Sequence, residues 1–200
     1  MEQAGAWWMA WRDAGGEARA EAEIALLIER AVAGDHSAFE QILVRYERRV
    51  LTLAWRLLGK LEDAQDASQE VFLRTFRFLH RFDRRRPFEP WLVRMTVNVC
   101  RDVGRKRMRD AGVALNPETL ESAPTGTDPH SEFTSAEDRR MLHGLLRELP
   151  EKERTALVLR DLEGLSTAEV AEILGSSEVT VRSQISKARL KIRKAVERMK

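Results

Sequence analysis

Residues 166–189 read STAEVAEILGSSEVTVRSQISKAR, and the spacing within them indicates two helices joined by a tight turn. Ser166, followed three residues later by Glu169, forms a capping box, in which each side chain satisfies a free backbone N–H at the start of a helix. The first helix is short and ends at Gly175, a residue type that commonly terminates helices. A second, longer helix is predicted directly after it.

The residues around the glycine have the spacing of a helix-turn-helix. Ala171, Gly175 and Val181 match a small residue at the helix crossing, a turn glycine and an apolar residue that seats the second helix. Because helical hairpins with a glycine turn are common, a purely structural role remains an alternative at this point. The second helix also carries donors suited to phosphates or base edges in a major groove. These residues are Thr180, Arg182, Ser183, Gln184, Ser186, Lys187 and Arg189.

The composition of the 200 residues excludes several classes of protein, since 43% are hydrophobic and 33% are charged. The single cysteine, Cys100, cannot form an intramolecular disulfide, and we interpret it as a buried structural thiol, with redox sensing as the alternative. No apolar run reaches the roughly 18 residues of a membrane helix, and no signal-peptide pattern is present. We therefore expect a cytoplasmic protein without membrane insertion. The sequence contains no P-loop, metalloprotease or dinucleotide-binding motif, so we expect neither catalysis nor a cofactor or metal.

Charge is distributed in blocks along the chain. Residues 74–109 carry a net charge of +9 and residues 178–200 a net charge of +6, whereas residues 110–138 carry −7. Two cationic blocks separated by an anionic one suggest two polyanion-binding modules on a tether. Solvated helix faces are the alternative interpretation of such runs.

Apolar periodicity predicts an all-α fold of two small helical domains joined by a flexible acidic linker, the second domain being the helix-turn-helix unit. Residues 1–22, with Trp7, Trp8 and Trp11, are predicted to be a disordered extension, a partner-binding hook being the alternative. The predicted domains are 23–110 and 136–200, and the proline-containing linker is 111–135. Predicted helix boundaries are ends at Gly34 and Gly59, a helix over about 62–79, a start near Trp91, and Pro150 in the first turn of a helix through Asp161.

An acidic stripe precedes the first basic block. Asp63, Asp66 and Glu70 are three and four residues apart and thus share one helix face, where like charges repel. Such a stripe suits a cationic partner or is merely tolerated in solvent. A metal site is a third interpretation, although no histidine pattern accompanies the acids.

Aromatic and basic residues alternate just downstream of this stripe. Rings that stack on bases, together with guanidinium groups that hold phosphates, suit single-stranded nucleic acid. The alternative is that rings such as Phe76 and Trp91 simply belong to a core. The cluster comprises Phe76, Phe78, Phe82, Arg84, Arg85, Arg86, Phe88, Trp91, Arg94, Asn98, Arg101, Arg105 and Lys106.

Three stretches, in this order, resemble bacterial RNA polymerase sigma factors of the extracytoplasmic-function (ECF) group. Residues 63–72 (DAQDASQEVF) resemble the family's helix that docks on the coiled coil of the β′ clamp. Residues 88–98 (FEPWLVRMTVN) resemble its pattern for recognising and melting the −10 element. Residues 149–154 (LPEKER), followed by the helix-turn-helix, resemble its −35-reading domain. The resemblance covers about 24–109 and 136–200.

This resemblance implies a transcription initiation factor that binds core RNA polymerase through the β′ clamp coiled coil and the β flap. It also implies contact with duplex and single-stranded promoter DNA, and an anti-sigma factor as a further candidate partner. The implied core-polymerase-binding residues are Asp63, Asp66, Gln69, Glu70 and Phe72. The implied −10 residues are Arg84, Arg85, Arg86, Phe88, Trp91, Arg94, Asn98, Arg101 and Arg105. The implied −35 residues are Ser166, Thr180, Arg182, Ser183, Gln184, Lys187 and Arg189.

One position departs from the family. Where the family often has Ser-Arg in the recognition helix, this chain has Ser183-Gln184, and a glutamine side chain suits an adenine edge. Two other functions remain alternatives: a stand-alone helix-turn-helix regulator with a helical ligand-binding or dimerisation domain, and a helical adaptor whose charges only solvate its surface.

Overall fold

The computed structural model describes residues 14–110 and 136–199, and every regular element within these ranges is a helix, as predicted. We call α1–α4 the N-terminal bundle and α5–α8 the C-terminal bundle. The predicted linker and the tryptophans at positions 7, 8 and 11 lie outside the described residues. The helices are α1 (Ala14–Val32), α2 (His36–Leu58), α3 (Leu61–Phe78), α4 (Phe88–Asp110), α5 (Ala136–Arg147), α6 (Glu151–Leu157), α7 (Thr167–Leu174) and α8 (Glu178–Met199).

Helix α1 begins at Ala14, within the predicted extension 1–22. This segment is rich in alanine and glutamate, which have high intrinsic helix propensity. A salt bridge at spacing i, i+4 between Arg19 Nε and Glu23 Oε1, 3.5 Å long, adds a small stabilisation. The helix is anchored further along by Ile24 and Ile28, which are buried against the bundle.

Helix α2 forms the centre of the N-terminal bundle and ends where the sequence predicts. Asp35 caps its start by accepting hydrogen bonds from the backbone N–H groups of Ser37 and Ala38. The Ser37 hydroxyl and the Arg30 guanidinium also donate to this carboxylate, and together these bonds lower the pKa of Asp35 to about 2. Gly59 ends the helix in the left-handed conformation, with φ 81°.

Helix α4 begins at Phe88 rather than near Trp91. Pro90 therefore lies in its first turn, where the missing N–H removes no intrahelical hydrogen bond, so the proline does not break the helix. A 3₁₀ turn, Leu79–Arg81, and the loop 82–87 connect α3 to this helix. The irregular segment before α4 is thus three residues shorter than predicted.

The C-terminal bundle contains a local feature that periodicity did not predict. Pro150 caps α6 from outside the helix rather than from its first turn, and α6 continues as a π-helical turn over Val158–Leu162. The N–H of Glu163 donates to the carbonyl of Val158 over 2.9 Å, which closes the wider turn. Glu163 follows directly after this turn.

Helices α7 and α8 confirm the predicted helix-turn-helix. The N–H of Glu169 donates to Ser166 Oγ (3.2 Å), and the N–H of Ser166 donates to Glu169 Oε2 (2.7 Å), so the capping box is complete. Gly175 adopts the left-handed conformation, with φ 60°, between the two helices. Ala171 and Val181 are buried at the crossing, as their spacing predicted.

Within residues 14–110 and 136–199, none of the helices is long and apolar enough to cross a lipid bilayer.

Candidate nucleic-acid interface

Helix α8 presents its predicted donors outward because its apolar face is fixed against the bundle. Val181, Ile185 and Ala188 are buried, and this anchors the rotation of the helix about its own axis. The opposite side exposes Thr180, Arg182, Ser183, Lys187 and Arg189, whereas Gln184 is half-buried.

An open hollow of about 590 Å³ lies beside α8 and is strongly cationic. Sequence analysis missed two of its arginines, Arg160 and Arg193, which join Arg182 and Arg189 in its wall. Arg193 belongs to the basic end of α8, but Arg160 lies in the π-helical turn, and only the fold brings it to this groove. The concentration of guanidinium groups suits an anionic backbone.

Several of these donors have partners within the bundle. Arg189 makes two hydrogen bonds with Asp161, of 2.6 and 2.9 Å, and these bonds raise the pKa of Arg189. Arg182 pairs with Glu178 over 2.6 Å. The Ser166 hydroxyl accepts a hydrogen bond in the capping box. Ser166, a predicted DNA contact, therefore also stabilises the start of α7.

Helix α4 carries a second polar stripe. Arg94, Asn98, Arg101 and Arg105 are spaced four, three and four residues apart and therefore share one face. Arg94, Asn98 and Arg105 are exposed and Arg101 is half-buried. The opposite face contains Leu92, Val93, Val97, Val99 and Cys100, all buried in the core.

The loop before α4 exposes three consecutive arginines, Arg84, Arg85 and Arg86. Its Asp83 accepts hydrogen bonds from the side chain and the backbone N–H of Arg85, which lower the pKa of Asp83. The N–H of Arg86 donates to the Asp83 carbonyl over 2.9 Å and closes the turn. The loop is thus held in a defined shape, with Arg85 paired to Asp83 and Arg86 to Glu172, while all three arginines remain exposed.

An aromatic cluster packs at the base of this loop, which it joins through Phe82. The ring of Phe88 packs edge-on against Tyr46 (5.4 Å between centroids) and Phe82 (5.5 Å), and Trp91 lies 5.6 Å from Phe88. Phe88 is only 4% exposed, so it is a core residue and not an open stacking surface. Trp91 is half-buried and forms the edge of the same cluster.

The acidic stripe lies on α3, and its residues differ in their exposure and in their salt-bridge partners. Asp66 and Gln69 are exposed, Asp63 pairs with Arg107 over 3.2 Å, and Glu70 pairs with Arg74 over 2.6 Å. Phe72 is 7% exposed, so it packs in the core and is not presented to a partner.

Two apolar side chains on α3 face solvent: Leu73, which was not predicted as a contact, and Phe76, which belongs to the predicted aromatic and basic cluster. Leu73 is 61% exposed, and Phe76 is 49% exposed although it touches Phe39 edge-on. Leu73 directly follows Val71 and Phe72, which are both buried. Because three consecutive residues of a helix cannot all lie on its buried face, this position is the sequence signal that Leu73 is exposed.

The sequence models of two families match the chain: Sigma-70 region 2 matches residues 42–110, and Sigma-70 region 4 matches residues 139–192. The two bundles are therefore the paired domains of a sigma factor. The RNA polymerase sigma-H factor of Pseudomonas aeruginosa is 34% identical over 178 residues, covering 86% of this chain and 92% of that protein. The ECF RNA polymerase sigma-E factor of Escherichia coli K12 is 34% identical, covering 82% and 89%. The chain belongs to the extracytoplasmic-function RNA polymerase sigma factors.

The fold agrees with this assignment. The sigma factor RpoE of Bartonella quintana, solved in complex with the anti-sigma factor NepR, superposes with a TM-score of 0.66 at 23% identity, covering 80% of this chain and 96% of that one. The protein directs RNA polymerase to promoters, and the alternative of a stand-alone helix-turn-helix regulator is not favoured.

Proposed function

We propose that α4 and the preceding loop bind the single-stranded −10 element. The observation that carries this proposal is the stripe Arg94, Asn98, Arg101 and Arg105, which lies on the face of α4 opposite its buried residues. Guanidinium groups at this spacing follow a phosphate backbone, and Asn98 offers both a donor and an acceptor to a base edge. The aromatic cluster around Phe88 holds the loop in position, while Trp91 offers its half-buried edge.

Duplex DNA of the −35 element is proposed to bind the outward face of α8. Arg182, Ser183, Gln184 and Lys187 are the base-edge and phosphate candidates, and the cationic hollow beside them receives the backbone. Arg189 is held by Asp161 through Nε and Nη2, and its Nη1 group is the candidate donor to a phosphate.

Core RNA polymerase is proposed to bind α3 through the exposed Asp66 and Gln69. Leu73 and Phe76 extend this surface with apolar area that remains open to solvent. We further propose that the protein acts in the cytoplasm as a non-catalytic initiation factor. An anti-sigma partner is proposed by analogy with the Bartonella quintana factor, whose structure contains one.

The test is reconstitution with core polymerase, followed by sequencing of transcript starts on genomic DNA to find a responsive promoter. On that promoter, Asp66→Arg should lose binding to core polymerase, with Glu40→Arg, an exposed acid on α2, as the matched control. The pair Arg94→Ala/Arg101→Ala should bind core and closed promoter normally but leave −10 thymines unreactive to permanganate. Exposed Arg48 on α2 provides the matched arginine control.

Arg182→Ala/Lys187→Ala should instead weaken promoter binding before melting, with each lost contact contributing about 1–3 kcal/mol. If all three variants initiated transcription as efficiently as their controls, these residue assignments would be wrong.

A further inference from the structure

Helix α8 exposes an apolar side chain in its first turn, at Val179. This valine is 72% exposed, the largest exposed fraction among the large apolar side chains of the described residues. At 3.6 residues per turn, Val179 lies about 160° around the helix from Val181, which is 0% exposed and faces the bundle. Val179 therefore lies in the middle of the outward face of α8 and does not belong to the core.

The same face carries donors suited to duplex DNA. Arg182, Ser183 and Ser186 follow Val179 by three, four and seven residues, so the four side chains share one stripe, and all of them are exposed. In a helix-turn-helix, the N-terminal residues of the second helix contact base edges in the major groove. Val179, the second residue of α8, thus lies where a base edge is expected.

Hydrogen bonds fix the first turn of α8 around this valine. The hydroxyls of Ser177 and Thr180 are 2.9 Å apart and share a hydrogen bond, and the N–H of Thr180 donates to Ser177 Oγ over 3.2 Å. The Arg182 guanidinium donates to the Glu178 carboxylate over 2.6 Å. Because these bonds cap the helix and hold its first turn, Val179 is presented to a partner in one position.

The free protein gains little from a valine at this position. Single exposed apolar residues are common on protein surfaces, but a β-branched side chain has a lower helix propensity than alanine. Val179 buries little area that would offset this loss. Its methyl groups are suited to a partner, because the χ1 angle of valine is nearly fixed in a helix and little entropy is lost on binding.

The apolar group that base pairs present in the major groove is the 5-methyl group of thymine. We propose that Val179 contacts the 5-methyl group of a thymine in the −35 element and thereby sets the sequence preference at one base pair. This inference rests on the proposed binding of duplex DNA to α8, and it adds a contact that a hydrogen-bond donor cannot make.

The spacing of the stripe predicts where this thymine lies. Cβ atoms three or four residues apart on a helix are about 5–6 Å apart, and successive base pairs are separated by about 3.4 Å. The thymine should therefore lie one or two base pairs from the position that Arg182 or Ser183 contacts.

Selection from a promoter library tests the preference. The library keeps the promoter found by reconstitution and randomises its −35 element, and holoenzyme assembled from core polymerase and the full-length protein selects the bound fragments. The parent protein should enrich thymine, on either strand, at one position. Val179→Ala should lose the enrichment at that position alone, whereas Val179→Ile, which keeps an apolar β-branched side chain, should retain it. Val44→Ala, at a valine that is 70% exposed on α2, is the matched control and should select the same sequences as the parent protein.

Replacing that thymidine with deoxyuridine tests the methyl group itself, because the two bases differ only at this group. The parent holoenzyme should bind the uracil duplex about fourfold more weakly, which is the affinity equivalent of one buried methyl-sized group. Val179→Ala should bind the two duplexes within about twofold of each other. Equal binding of both duplexes by the parent protein would refute the contact. So would an equal loss in the parent protein and Val179→Ala, since the methyl group would then act without the valine.

Arg182→Ala, selected on the same library, separates this inference from the proposed function. A preference changed by Arg182→Ala but not by Val179→Ala would overturn the role of the valine while supporting α8 as the helix that contacts bases. If neither variant changed the preference at any position, the assignment of α8 itself would fail. Weaker binding of Val179→Ala to all sequences alike would place the valine against polymerase or the DNA backbone and would also overturn the inference. Circular dichroism verifies that each variant is folded.

Discussion

Acidification should loosen the contact between the two bundles through His143. Its imidazole is 7% exposed and lies flat against Trp55, so desolvation penalises the charged form. This desolvation, reinforced by the positive charges of Arg147 and Arg154 and partly opposed by the hydrogen bond to the Trp55 carbonyl, lowers the pKa of His143 from 6.5 to about 4. Packing therefore holds the ring neutral.

The sign of the effect follows from the direction of this shift. An unfolded or undocked chain takes up a proton near pH 6.5, whereas the packed ring resists protonation until about pH 4. The contribution of His143 to stability is therefore complete above pH 6.5 and is lost as the pH falls toward 4. The shift corresponds to at most about 3 kcal/mol, of which about 2 kcal/mol is lost at pH 5.

Urea unfolding at pH 7.5 and pH 5, followed by circular dichroism, measures this loss. His143→Phe retains a flat ring but cannot take up a proton, so its free energy of unfolding should decrease on acidification by about 2 kcal/mol less than that of the parent protein. His80→Gln, at an exposed histidine, is the matched control and should behave as the parent protein does. Identical pH dependence in His143→Phe and the parent protein would refute the reasoning.

Three further outcomes are expected. Val181→Ala opens a cavity at a residue that is 0% exposed and should lower the free energy of unfolding by about 2 kcal/mol. Val179→Ala, at a residue that is 72% exposed, should change it by less than about 0.5 kcal/mol. Equal effects of the two variants in urea titrations would contradict the packing of α8 through Val181. Ser166→Ala removes the helix cap and should lower the free energy of unfolding by about 1 kcal/mol. Ser166→Asp keeps the cap but adds a negative charge, so it should weaken duplex binding in a gel shift only if phosphates approach this residue. Burial raises the pKa of Cys100 to about 12, so a thiol reagent at pH 8 should label it only in urea, and rapid labelling in native buffer would show that the site is open.

Features that depend on local chain geometry were predictable from the sequence. Gly59 and Gly175 end helices because they adopt positive φ, and Ser166 begins one through a capping box, all within four residues of the groups they serve. The helix-turn-helix followed from the same kind of short-range pattern. The early start of α4 was missed because proline was interpreted as a break, although the first turn of a helix tolerates it.

Features that depend on tertiary packing were not predictable in the same way. Phe72 and Phe88 lie in motifs that resemble binding segments, yet both side chains are buried. Apolar periodicity identifies the buried face of a helix, but it does not tell which residues at the edges of that face the neighbouring helices cover. The pairing of Trp55 with His143 joins residues 88 positions apart, and no sequence pattern links them. The residue-level assignments to polymerase and promoter remain predictions for the experiments above.

Salt acts on the contact between the two bundles, in which arginines of the N-terminal bundle pair with glutamates of the C-terminal bundle: Glu163 with Arg49 and Arg56, Glu172 with Arg86 and Arg94, and Glu151 with Arg101. Added salt weakens the attraction between arginine and phosphate, and it equally weakens the attraction between arginine and glutamate. Rising ionic strength should therefore loosen the contact between the two bundles as well as the binding of the protein to DNA.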